Sequence, residues 1–207
     1  MSSYNYFGMK NTIPRHKTFI SFHHNDDYYK REFEKKWGEQ FDGFISKAVN
    51  DGDINPSLST DSIRQKIRDD FIADATVTLV LVGQGTWRRK HVDWEIASSI
   101  RDTKRNPRTG LLGILLPSYL ERSPSSVNDL IRFKLTEGGS FYNPYTIPPR
   151  LHDNIECGFA KIYPWPSSPQ DLRSWIHEAF QRRDTCLPNN SRDSFANNRS
   201  ETQMEWR

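Results

Sequence analysis

Thr76-Val-Thr-Leu-Val-Leu-Val82, ended by Gly83-Gln-Gly85, decides the fold. The run is almost wholly apolar and rich in β-branched residues, so it reads as a strand covered on both faces. Strands of that kind belong to parallel sheets with helices packed on either side. Gly110-Leu-Leu-Gly-Ile-Leu-Leu116, stopped by Pro117, has the same character. Upstream, Lys17-Thr-Phe-Ile-Ser-Phe22 reads as a strand and Phe44–Val49 as a weaker one. Downstream, Gly158-Phe-Ala-Lys-Ile-Tyr163 reads as the last.

Helices fill the intervals. Asn25 or Asp26 can cap Asp27–Gln40, which carries Tyr28, Phe33 and Trp37 among charges. Ser59 or Thr60 opens a second helix with Ile63, Ile67 and Phe71 at spacings of four. Trp87 to about Thr103 forms a third, and Pro169–Arg183 a last one with Leu172, Trp175, Ile176, Ala179 and Phe180 on one side. The alternation predicts an α/β protein: a flavodoxin-like five-stranded parallel sheet, order 2-1-3-4-5, with helices on both faces. Such sheets bind ligands beyond the carboxyl ends of their strands, at the switch point between the first and third. That rule selects the loops after Phe22 and Val82.

The 207 residues suit one domain. Residues 1–15 read as a loose lead-in and 16–183 as the domain, with 118–155 a long insertion rich in Pro, Ser and Gly that holds one short helix near Val127–Leu135. The polar stretch 184–207 reads as a disordered tail. The 29 basic and 26 acidic side chains are mixed along the chain, which argues against a nucleic-acid partner. No apolar run approaches the ~20 residues that span a bilayer, and Met1–Asn11 has no signal-peptide core. Two cysteines, Cys157 and Cys186, without CxxC spacing, fit a reducing compartment. The expectation is a cytoplasmic protein with no membrane partner.

Two segments lie at the predicted crevice. In Ser21-Phe-His-His-Asn-Asp26 the adjacent His23 and His24 point in different directions, which disfavours a shared metal. Backbone N–H groups before a helix there suit a phosphate. In Gly83-Gln-Gly-Thr-Trp-Arg-Arg-Lys-His-Val-Asp-Trp-Glu-Ile96, the residues Val92, Ile96 and Ile100 should face the sheet. At about 100° per residue, Glu95 lies roughly 60° from the Val92 direction and borders the apolar stripe. Arg88 and His91 flank the same side, and Trp94 falls away from the stripe. Thr86 suits the N-cap of the helix. Helical geometry alone also allows Glu95 to be a solvated residue, and Phe22 and Trp87 to be core.

Ile20-Ser-Phe-His, the strand Val77–Val82 with Gly83, and above all Thr86-Trp-Arg-Arg-Lys-His-Val-Asp-Trp-Glu-Ile96 resemble the TIR-like proteins of bacterial Thoeris anti-phage systems. In that family a strand ending in Gly is followed by Thr plus an aromatic, basic residues, and Val-x-(Trp/Tyr)-Glu-Ile. The resemblance covers Lys17 to Pro117. It implies a TIR fold and cleavage of the nicotinamide–ribose bond of NAD⁺, with Glu95 as the catalytic glutamate. It further implies an ADP-ribose-derived signal that activates a separate effector protein. NAD⁺ is then the substrate, with no further cofactor and no metal. Phe22, Trp94 and more weakly Trp87 would hold its rings, and Arg88 and His91 its phosphates, around a nucleotide crevice that includes His23, Gly83 and Thr86. Self-association or a phage-derived trigger would govern activity.

Other functions compete. A non-catalytic TIR-like module acting by self-association shares the fold, and Glu95 argues for the enzyme. A phospho-receiver domain needs an aspartate where this chain has Leu81-Val82-Gly83. A flavodoxin needs a Ser/Thr-rich phosphate loop where this chain has His23-His-Asn-Asp26.

Overall fold

The computed structural model describes residues 13–45, 54–55, 57–119 and 131–207. Its strands are β1 Thr18–Ser21, β2 Phe44–Ile45, β3 Val77–Val82, β4 Gly110–Leu115, β5 Lys134–Leu135, β6 Phe141–Tyr142 and β7 Ala160–Tyr163. Its helices are α1 Asp27–Trp37, α2 Thr60–Asp70, α3 Lys90–Ser99, α4 Pro149–Glu156 and α5 Pro169–Thr185. The main sheet runs β2-β1-β3-β4-β7, and every pair within it is parallel. The protein is thus α/β, built on a parallel sheet. Only Phe44 and Ile45 of the expected second strand fall within the described residues.

Alternation along β3 divides the core. Val77, Leu79 and Leu81 pack with Phe33 and Trp37 of α1 and with Leu172, Ile176 and Ala179 of α5. Val80 and Val82 pack with Val92, Ile96 and Ile100 of α3 and Leu151 of α4. Period-two side-chain direction places two helices on each face of the strand. Gly110 at the start of β4 lets α5 come close: a Cβ there would lie 2.1 Å from the backbone oxygen of Ala179. In α2, Ser59 is the cap, its side chain accepting from Ser62 N–H at 3.2 Å.

Two parts of the chain depart from the sequence reading. The stretch 118–155 is not one insertion. Its end, from Pro149, is α4, which covers the sheet between β4 and β7 with Leu151 fully buried. Pro148-Pro149 reads as a loop, yet proline at the first turn is a normal helix start because its missing N–H has no partner to lose. The antiparallel β5–β6 pair precedes it; of the short helix expected near Val127–Leu135, Ile131 and Arg132 are helical, Lys134 and Leu135 lie in β5, and residues 127–130 lie outside the described residues.

The segment 184–207, expected to be disordered, begins inside α5, which ends at Thr185, and from residue 186 runs back over α3 and α4. Buried Arg150 of α4 donates to Asp93 of α3 at 2.9 Å, to Asn190 Oδ1 at 2.8 Å and to the carbonyl of Arg192 at 2.8 Å. Phe195 N–H donates to Asp93 Oδ2 at 3.0 Å. Trp206 N–H reaches the carbonyl of Tyr145 at 3.1 Å. A buried guanidinium offers five donors, and the tail supplies acceptors that helices cannot. Composition does not reveal such anchors.

Candidate functional site at the carboxyl end of the sheet

Ser21 ends β1. Alternation sends Phe19 to the cluster that holds Ile63 and Ile67 of α2 and Trp94 of α3, and sends Ser21 to the same side. There the Ser21 hydroxyl donates to Glu95 Oε2 at 2.6 Å. Glu95 is 1 % exposed, so it is not a solvated helix residue. Its carboxylate is turned toward the tip of β1, beside the switch point. A hydrogen bond in a desolvated place is strong and fixes orientation.

The loop between β3 and α3 closes the neighbouring side. Thr86 does not cap α3. It sits in a 3-10 turn, Thr86–Arg88, and its hydroxyl oxygen accepts from Gly83 N–H at 2.8 Å. Helix α3 starts at Lys90, later than expected, and Asn198 of the C-terminal segment accepts from the Lys90 N–H at 2.9 Å. Gly83 is pressed against Asp26, whose Oδ2 would lie 2.3 Å from an added Cβ. Burial raises the Asp26 carboxyl pKa, opposed by the Thr86 hydroxyl and by His24. A second carboxyl group therefore borders the crevice, which sequence reasoning did not single out. The signal was the glycine facing it.

His23 is 4 % exposed. Burial, then the charge of Arg89 and His24, lower its pKa to about 4, with Glu201 opposing. Its ring is neutral at neutral pH, and its Nε2 makes no hydrogen bond among the described residues. His23 and His24 have ring centroids 4.4 Å apart. No group of three His, Cys, Asp or Glu side chains gathers as metal ligands among the described residues.

The remaining sequence-selected residues separate. Phe22 is half-buried and packs against the α1–α5 side of the core. Trp87 is buried, with the Arg88 guanidinium 4.6 Å from its ring centroid. Trp94, expected away from the core, is buried against α2, and its indole N–H donates to the Phe195 carbonyl at 2.8 Å. The reason is that α3 is covered on more than one face: Val92 through Ser99 are all buried. Arg88 precedes α3 and does not flank Glu95 along it. Its guanidinium donates to the Gln203 carbonyl at 2.5 Å and faces Glu201. His91 packs its ring edge-on to Trp94, 5.3 Å between centroids. A cavity of about 100 Å³ opens at the same end of the sheet, lined by Gln84, Tyr119, Asn143, Thr146 and Met204 among others, and Glu95 is not in its lining.

A parallel α/β sheet with a buried glutamate on the helix after β3, tied to the tip of β1, is consistent with a TIR-like fold. Residues 19–119, just under half of the chain, match the family model described as Thoeris protein ThsB, TIR-like domain, which supports a TIR-like protein involved in Thoeris anti-phage defence. The match runs from β1 to just past β4, so Ser21, Asp26, Gly83 and Glu95 fall inside it, while α4, β7, α5 and the C-terminal segment fall outside. A search of curated proteins found no significant match. No helix among the described residues is long and apolar enough to cross a membrane.

Proposed function

We propose that this domain cleaves the nicotinamide–ribose bond of NAD⁺, with Glu95 as the catalytic carboxylate. The observation that carries the reading is the placement of Glu95: desolvated, held by Ser21, at the carboxyl end of β1. Parallel α/β sheets bind their ligands at this edge.

One carboxylate suffices for this chemistry. Glycosidases use a second acid to protonate a departing oxygen. Nicotinamide leaves NAD⁺ from a cationic pyridinium and departs neutral, so no proton is needed. What remains is the positive charge that develops on the ribose. A fixed carboxylate in a water-poor site stabilises that charge without reorganising. Such groups are worth ~3–4 kcal/mol, or roughly two to three orders of magnitude in rate. The ADP-ribose left behind would be hydrolysed, recyclised or transferred, giving a nucleotide signal for a separate effector.

A second reading rests on the same burial. Glu95 could serve to fasten α3 to β1 in a non-catalytic module that acts by self-association. Glu95→Gln separates the two, since the amide oxygen still accepts from Ser21 and the charge is gone. The test is to incubate the protein with NAD⁺, alone and with lysate of phage-infected cells, and to follow nicotinamide. Release by the wild type and none by Glu95→Gln supports the enzyme. Silence of the wild type under both conditions supports the module.

A further inference from the structure

Arg88 and Arg89 converge on one carboxylate, that of Glu201 in the C-terminal segment, at 3.4 and 2.5 Å. The three side chains are unequal. The arginines are 10 % and 18 % exposed, and Glu201 is 65 % exposed. The cationic side of the contact is therefore built into the protein, and the anionic side is a surface side chain on a strap. The Arg88 guanidinium is also braced against the Trp87 ring. Glu201 does not exhaust the donors: the Nε–H groups of Arg88 and Arg89 are buried without a hydrogen-bond partner among the described residues. The arginine pair adjoins the crevice: it follows directly on the β3–α3 loop, where a Cβ on Gly85 would lie 3.7 Å from the ring of buried His23.

We infer that Arg88 and Arg89 form an oxyanion seat for the phosphates of a nucleotide, and that Glu201 of the same chain occupies it as a displaceable stand-in. The inference rests on the proposed NAD⁺ reading for the identity of the nucleotide. Guanidinium forks recognise phosphate and carboxylate by the same paired donors. A carboxylate held mostly in water loses little on leaving, because exposed ion pairs are weak. The strap around it stays anchored by Arg150, Trp94 and Trp206, so release of Glu201 needs only a local shift. The seat would take the pyrophosphate of an ADP-ribosyl group.

The test is calorimetric titration of the full chain at low ionic strength with two probes, ADP-ribose and inorganic pyrophosphate. Glu201→Gln removes the competing charge at an exposed position and should leave the melting temperature unchanged. It is expected to tighten both probes about threefold to fivefold, the range an exposed ion pair supports. Adding Arg89→Gln should abolish the gain, and raising the salt should shrink it. Unchanged dissociation constants for both probes in Glu201→Gln would overturn the seat, as would a gain that survives Arg89→Gln. The two proposals fail separately. Pyrophosphate affinity sensitive to Glu201, with no NAD⁺ cleavage by the wild type, keeps the seat and removes the enzyme. NAD⁺ cleavage with both affinities insensitive to Glu201 does the reverse.

Discussion

The Ser21 hydroxyl donates to Glu95 Oε2 across 2.6 Å, joining the last residue of β1 to the middle of α3. Neither residue could take this role without the other's position. Period two in the strand turns Ser21 toward α3, and the stripe of Val92 and Ile96 turns the flank of α3 toward β1. Ser21→Ala removes a donor to a buried carboxyl oxygen, which costs about 1–3 kcal/mol. Urea unfolding should show that loss, and nicotinamide release should fall with it as Glu95 loses its fixed orientation. Full stability together with full turnover would mean that the contact positions nothing.

Gly83 and Asp26 form a second coupled pair. A methyl group on residue 83 would sit 2.3 Å from Asp26 Oδ2 and 2.6 Å from Oδ1. Gly83→Ala is expected to destabilise by about 1–3 kcal/mol, the usual cost of overpacking. Asp26→Ala in the same chain should return most of it. Denaturation of the two single variants and the double variant measures the coupling directly. Additive effects would contradict the contact.

The tail is held by the buried Asp93–Arg150 pair, whose side chains are 2 % and 0 % exposed. Asp93→Ala leaves Arg150 buried with its charge uncompensated, which costs about 3–5 kcal/mol. It also removes the acceptor of the Phe195 N–H. Loss of stability together with earlier proteolysis within 186–207 is the expected outcome. An equally stable variant with a protected tail would show that the ion pair is not the anchor.

How much of this was legible in the sequence follows from the kind of signal each part carries. Strands β3 and β4 announce themselves because both faces are covered, so their apolar runs are continuous. The flank position of Glu95 could be read from the four-residue spacing of Val92, Ile96 and Ile100. Trp94 could not, because the stripe records only the face on the sheet and α3 is also covered by α2 and the tail. Helix α4 was hidden by Pro148-Pro149. The tail was hidden because its anchors are single points: a carbonyl on Arg150, Asn198 on the first turn of α3, a tryptophan near the end. Such contacts are long-range and leave no period. Ser21 was visible only as a strand end, and Arg89 only as one of several basic residues.

Acid should weaken the fold through buried histidines: burial lowers the pKa of His152, and of His16 and His23 further. Burial lowers the pKa of His16 to about 4, with His177 and Arg183 adding and Asp42 opposing. His23 is lowered to about 4 as well. Each is neutral when folded and takes up a proton near pH 6.5 when unfolded. The unfolded state therefore binds more protons between about pH 6.5 and 4, and stability falls as pH drops through that window. Asp26, whose pKa is raised by burial, works in the opposite sense. Melting temperatures from pH 7 to 4 should decline, and the decline should flatten in His16→Gln/His23→Gln. An equal slope in that double variant would assign the acid sensitivity elsewhere.

The central claim is that Glu95 does chemistry. Its most direct test is mass spectrometry of the small molecules made from NAD⁺ by wild type and Glu95→Gln in lysate of phage-infected cells, with melting curves of both proteins. The account predicts matching melting curves, nicotinamide and an ADP-ribose-derived product from the wild type, and a yield lower by roughly two to three orders of magnitude from Glu95→Gln. Equal product from the two proteins would contradict it.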